Sequence, residues 1–408
     1  MASDKLVSGV RRSVELDFLR GIAILLVIFY HSTLHNTALG ALAPVLDPII
    51  SFGWTGVNLF FVLSGFLVGG LLFKEIRATG KVDVWRFLVR RAFKIWPAYF
   101  IFIGYYYLKL VHRKDGVRGA FVELWPNLLH IQNYIRTPPH HTWSLAVEEH
   151  FYLTFALAVF LLMRGGKSAV SRLRIFIWTA PVFLILCLVL RALNWDKPFD
   201  NFTHMWPTHL CVDALFLGVC LGYIYHFQPQ VFERVASHRV WLLVFSAVAV
   251  APMIFVPKTS PFTFTIGVTL LSLGFGALLI AVVPPPSGAA APARFWNLRI
   301  VKLVAWVGVY SYSIYLWHLD LVAMPLFSVL GPMWKYQPVT QTAFLYLCLL
   351  VIGSVAIGVL MAKLIEFPAL RLRERLMPPR RPTAPREAPP EAVIPAEGTA
   401  LPGFDTLS

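Results

Sequence analysis

LDFLRGIAILLVIFYHS, residues 16–32, is an almost unbroken apolar run that still carries Arg20 near its start and His31 near its end. About 20 mostly apolar residues cross a bilayer as a helix, and the run 17–37 meets that length. At 3.6 residues per turn the step from Arg20 to His31 is about 1100°, so both side chains fall within about 20° of one face, about 16 Å apart along the axis. Ionisable groups in a lipid-embedded helix are costly, turn to the bundle interior and mark function. His31 is the natural general base, since imidazole accepts a proton near neutral pH. A buried histidine hydrogen-bonded to a neighbouring helix is the equally weighted structural reading. Asp17, one turn before Arg20, supplies an ion pair that would steady the helix start.

Working outward, the runs 51–73, 93–111, 144–163, 175–193, 209–227, 240–256, 263–283, 303–327 and 341–364 are also long and apolar. The expected fold is therefore an all-α, polytopic membrane helix bundle of about ten spans. Composition agrees: 57% of the 408 residues are hydrophobic and only 14% charged, against about 45–50% and 25% for soluble domains. That excess excludes a soluble enzyme and a disordered chain. No alternating pattern of a transmembrane β-barrel is present. The four cysteines lie inside apolar runs without a CxxC pair, which argues against disulfides and zinc, and no metal site is expected. No removable signal peptide is expected at the N-terminus.

The formal charge of +15 reads as topogenic charge facing anionic lipid rather than as a nucleic-acid surface, because the cations sit between apolar runs. With a cytoplasmic N-terminus, 26 of the 36 Lys and Arg fall on the inner side and nine, Arg191 and Lys258 among them, on the outer side or its flanks. Both termini are therefore expected in the cytoplasm. Residues 1–13 form a cytoplasmic segment, 14–377 the membrane domain, and 378–408, rich in Pro and Ala, a disordered cytoplasmic tail.

The remaining polar residues within or beside the spans are few. The second run, GWTGVNLFFVLSGFLVGG, offers Gly53, Gly56, Ser64, Gly65, Gly69 and Gly70 for close helix approach, and one amide, Asn58, that can meet His31 or a substrate. RFLVRRAFKIWPAYF carries Arg86, Arg90, Arg91 and Lys94. Arginine forks suit phosphate, so a phosphorylated cytosolic ligand can dock there, although juxtamembrane cations more often serve topology. HHTWSLAVEEHFYL places Trp143, Glu148 and Glu149 at an outer helix end, where a carboxylate can orient an imidazolium or a hydroxyl-rich acceptor and an aromatic can stack on a sugar. His209 with Asp213, at i and i+4, and His318 with Asp320 close the set. For both, interhelical hydrogen bonding weighs at least as much as chemistry.

Together these blocks resemble the membrane-bound acyltransferase family 3, the group of O-antigen, exopolysaccharide and nodulation-factor O-acyltransferases. The blocks ELDFLRGIAILLVIFYH, GWTGVNLFFVLSGFL, RRAFKIWPAYF, TWSLAVEEHFYL and YSYSIYLWH stand in family order across about residues 14–377. The resemblance implies transfer of an acyl, usually acetyl, group from acyl-CoA to a hydroxyl of a carbohydrate or related acceptor, in a bacterial inner membrane, with membrane lipid around it. By position it makes His31 and Arg20 the essential pair, with Glu148 as a catalytic carboxylate. Arg90 and Arg91 match its basic donor-side motif, beside which Lys94 stands, and Thr208, His209 and Asp213 match a block seen in some members; with Trp143, Asn58 and His318, His209 and Asp213 are the candidate substrate-binding residues. Asn58 stands where Asp is common, Lys94 and Cys211 where Arg is common. The resemblance is to the stand-alone membrane form, without a second soluble domain. A transporter of a glycan or small metabolite is the rival reading; it would gain from inverted or parallel repeats of helix groups, and none is visible in the sequence.

Overall fold

A computed structural model describes residues 13–32, 43–113, 116–164, 169–287, 293–332 and 339–378, and among these the chain is helical throughout, with no strand. The expectations for residues 1–12 and for the tail from 379 onward lie outside the described residues. Among the described residues six helices are long and apolar enough to cross a membrane: Pro44–Thr79, His140–Met163, Leu173–Ala192, Thr263–Val282, Ser311–Leu330 and Ala343–Leu376. A bent pair, Pro229–Ala236 and Arg239–Phe255, turned 75° at its break, makes a seventh if taken as one span.

The other apolar runs are helical but interrupted or charged. Helix α1, Val14–Tyr30, is capped by Ser13, whose hydroxyl accepts from the Leu16 amide at 3.4 Å, and it stops where His31 takes up a non-helical backbone. The run 93–111 sits inside the longer helix α4, Val84–Arg113, whose two ends are basic. The run 209–227 breaks at Val212 into Thr208–Cys211 and Asp213–Phe227, and 303–327 breaks at Tyr310 into Arg299–Val309 and the span beginning at Ser311.

Two glycine crossings hold the bundle. Helix α3, Gly56–Thr79, packs along Asp213–Phe227. A Cβ at Gly65 would run into the Leu215 carbonyl, and one at Gly218 into the Val62 carbonyl. Helix α1 crosses Arg299–Val309 in the same way, with Gly21 against the Val304 carbonyl and Gly308 against the Asp17 carbonyl. Lipid tails are as apolar as the side chains, so association here comes from close van der Waals packing, which only small residues permit. Among the described residues a small cluster of Leu110, Ala120 and Leu124 stands beside two large cores of buried side chains. One is built around Phe61, Phe73, Phe151 and Leu215, the other around Ile28, Tyr99, Phe102 and Tyr346.

The C-terminal helix is tied to α4 by charge. Arg90 pairs with Glu374 at 2.9 Å, and Lys94 pairs with Glu366, whose other oxygen accepts from Ser313 Oγ at 2.7 Å. Glu366 has a side chain only 1% exposed, so it is sustained by these two partners, and removing either would strand a buried charge.

Candidate active site

Two cavities meet inside the bundle, and α1 reaches both. The first, about 150 Å³, is basic: Arg20, Arg91 and Lys94 line it together with Ser64, Glu148, Tyr152, Ser311 and Tyr312. The second, about 240 Å³, holds His31, Asn58, His140, His141, Trp143, Arg191, Asn201, His204, Trp206 and Lys258. Val57, Phe61 and Tyr315 line both and form the partition between them. A larger hollow of about 570 Å³ is a surface groove by Arg118, Glu123 and Trp125 and contains none of the expected site residues.

In the basic cavity, Arg20 keeps its ion pair with Asp17 at 3.2 Å and also faces the cavity. The Tyr152 hydroxyl donates to Glu148 Oε2 at 2.6 Å and is 2.9 Å from Ser64 Oγ, which then donates to it. Arg91 lies over the rings of Phe87 and Tyr152, at 5.6 and 6.0 Å, and makes no ion pair among the described residues, so its guanidinium edge is open to an anion. The basic cluster on α4 is therefore divided: Arg91 and Lys94 line the cavity, whereas Arg90 is engaged by Glu374 and by the Met377 carbonyl at 2.8 Å.

In the histidine cavity, His31 Nδ1 lies 3.1 Å from His318 Nε2. The fully buried His318 also places Nδ1 at 3.0 Å from the Ile314 carbonyl and 2.9 Å from the Tyr315 carbonyl. Carbonyls only accept, so His318 carries its proton on Nδ1 and its Nε2 is a lone pair. His31 must then donate from Nδ1, which leaves His31 Nε2 as the ring's basic nitrogen in a cavity large enough for a small ligand. The third histidine, His141, is 6.0 Å from His318, ring centre to ring centre. The Tyr315 hydroxyl donates to the His141 carbonyl and sits 2.6 Å from Ser144 Oγ. The Trp143 and Trp206 rings, which line the same cavity, stack at 5.7 Å and 10°.

The expected residues thus separate into groups. His31, Asn58 and Trp143 share the histidine cavity, and His318 stands directly behind His31. Glu148 lies in the basic cavity and not beside His31. The break at Val212 parts His209 from Asp213. His209 is exposed and stacks on Tyr134 at 5.8 Å, while Asp213 is paired with Arg191 at 2.7 Å, both side chains fully buried. Neither lines a cavity. Arg191, Lys258, Tyr315 and Trp206 are additions of the fold. The signal for Arg191 was its place in the run 175–193, but there it also counts as a topogenic flank charge.

The fold, then, is a helical membrane bundle with a polar interior divided between a cationic and an imidazole-bearing chamber. The family model described as an acyltransferase domain, acyltransferase family 3, matches residues 13–363, and the chain belongs to that family. It is similar to O-acetyltransferase OatA of Staphylococcus aureus (strain NCTC 8325 / PS 47), 27% identical over 328 residues, covering 75% of this chain and 50% of that protein. It is also similar to peptidoglycan O-acetyltransferase OatA of Listeria monocytogenes serovar 1/2a, 24% identical over 348 residues, covering 79% of this chain and 51% of that protein. The chain spans about half the length of these relatives. No solved structure matches it.

Proposed function

We propose that this chain is an integral-membrane O-acyltransferase of the bacterial cytoplasmic membrane that moves an acetyl group from acetyl-CoA to a carbohydrate hydroxyl. In this reading about ten helical passes cross the bilayer, both termini are cytoplasmic, and Arg20 and His31 lie toward opposite ends of α1. The observation that carries it is the pair of cavities meeting at Val57, Phe61 and Tyr315, one lined by cations and the other by a histidine whose Nε2 is free to take a proton. The relatives' names support an O-acetyl transfer, and those of the peptidoglycan enzymes support a glycan acceptor.

The division of labour follows from the lining. Arg91, which has no ion-pair partner among the described residues, holds the phosphates of the donor; Lys94 stays paired with Glu366 and lines the same cavity, and Arg20 adds positive potential where the thioester carbonyl enters. Glu148 and Tyr152 balance that charge instead of orienting His31. The acceptor lies along Trp143 and Trp206 with a hydroxyl at His31 Nε2, and Asn58 is placed to hydrogen-bond it. His31 removes the hydroxyl proton as the oxygen attacks the thioester carbon. Collapse of the tetrahedral adduct breaks the C–S bond, and the departing CoA thiolate takes the proton from His31.

The test is radiolabelled acetyl-CoA with purified protein in lipid nanodiscs and a panel of glycans. Acceptor-dependent CoA release that disappears in His31→Gln is the expected result. Absence of release with every donor and acceptor would overturn the reading in favour of transport.

A further inference from the structure

The histidine cavity is cationic in a way that the acyl-transfer step does not require. Arg191 is fully buried; its Nη2 donates to Asp213 Oδ2 at 2.7 Å and to Thr269 Oγ1 at 2.8 Å, while Nε and Nη1 have no partner among the described residues. Unsatisfied buried donors are uncommon, and charged ones are the most costly to leave so. Lys258 lines the same cavity with only the Tyr30 hydroxyl, 3.4 Å away, and the faces of Tyr30 and Trp54 for company. It makes no ion pair among the described residues. Among the described residues no Asp or Glu lines this cavity, and Asp213, behind Arg191, offsets one of the two charges. A neutral sugar alone would leave this arrangement uncompensated.

We infer that the histidine cavity selects an acceptor bearing a carboxylate, which Arg191 and Lys258 bind while the sugar ring rests on Trp143 and Trp206. The inference rests on the acyltransferase reading for the word acceptor, but the anion site itself stands on the cavity alone. A carboxylate there would satisfy the free Arg191 donors and give Lys258 its counter-ion. It would also fix which hydroxyl of the ring reaches His31 Nε2.

The full chain in nanodiscs, with no acyl donor, is titrated with methyl glucuronoside and methyl glucoside, which differ only in a carboxylate against a hydroxymethyl. Quenching of tryptophan fluorescence reports binding. The acid should bind at least about tenfold more tightly. Lys258→Gln and Arg191→Gln should each bring the ratio toward one, and Arg191→Lys should retain part of it. If Arg191→Gln does not assemble, Lys258→Gln decides alone. A wild-type ratio of one, or a ratio that both glutamine variants leave unchanged, overturns the inference. Glycan-dependent CoA release alongside a ratio of one removes the anion site and keeps the acyltransferase reading. A tenfold ratio without CoA release does the reverse. If the two cations served only to stabilise a transition-state oxyanion, both variants would slow transfer to neutral and acidic glycans equally, without altering the binding ratio.

Discussion

His318 Nε2 accepts a hydrogen bond from His31 Nδ1 across 3.1 Å, and two carbonyls one turn earlier in the His318 helix set the direction of that bond. The second histidine therefore acts as a tautomer lock on the first. Without it, the His31 ring is free to rotate or to carry its proton on Nε2, where it no longer serves as a base.

His318→Ala is accordingly expected to lower kcat by about 10²-fold with little change in the KM for acetyl-CoA, whereas His31→Gln should cost about 10²–10⁴-fold. A donor-side role for His318 would show instead as a rise in KM. Steady-state kinetics on nanodisc-reconstituted protein separates the two outcomes.

The cavity boundary on α4 makes a second prediction. Arg91 faces the basic cavity without an ion-pair partner, whereas Arg90 is held by Glu374 at 2.9 Å. Arg91→Ala should raise the KM for acetyl-CoA about tenfold or more, the scale of a lost charged hydrogen bond. Arg90→Ala should change it less than about threefold and cost at most about 1 kcal/mol of stability, since its pair is partly solvated. Equal effects at both positions would mean that the cluster acts as a diffuse field and not as a site.

Packing supplies a third. Gly65→Ala places a methyl group against the Leu215 carbonyl, so the crossing of α3 with Asp213–Phe227 must open, at a cost of about 1–3 kcal/mol. Gly104, in the interior of α4, has open space where a Cβ would go. Gly104→Ala is therefore expected to stabilise by about 0.5–1 kcal/mol through helix propensity. Thermal unfolding in detergent should move in opposite directions for the two variants.

The distribution of what was readable follows from where each interaction is encoded. Apolar runs and glycine spacing are local, so the helical class, the close-packed face at Gly65 and the exceptional status of Arg20 and His31 all follow from short windows. Interhelical partners are not local. Nothing in the spacing of residues 175–193 connects Arg191 to Asp213, and its charge reads just as well as a topogenic flank. A turn at Val212 lies between His209 and Asp213; His209 is exposed while Asp213 is drawn onto the buried guanidinium of Arg191, a partner that the i,i+4 spacing does not name. The outer helix end of Glu148 suggests a carboxylate that orients an imidazolium or an acceptor, but hydrogen bonding to Tyr152 holds it in the basic cavity.

Lys258 gives the last prediction a sign in pH. It stands in the turn 257–260, between helices, where burial pushes its ammonium from the ordinary lysine range down to about 8. Tyr30 and His31 of α1 and Trp54 ahead of α3 surround it in the cavity, and none of them is a carboxylate that would hold the charge. Below about pH 8 the side chain is a cation and attracts an acidic glycan; above it the ammonium loses its proton and that attraction goes with it. The preference for methyl glucuronoside over methyl glucoside should therefore fall between pH 7 and pH 9, by up to about tenfold. Lys258→Arg should hold the preference level across the same interval, because a guanidinium stays protonated. A fall of equal size in Lys258→Arg would assign the titration to another group in the cavity and remove Lys258 from carboxylate recognition.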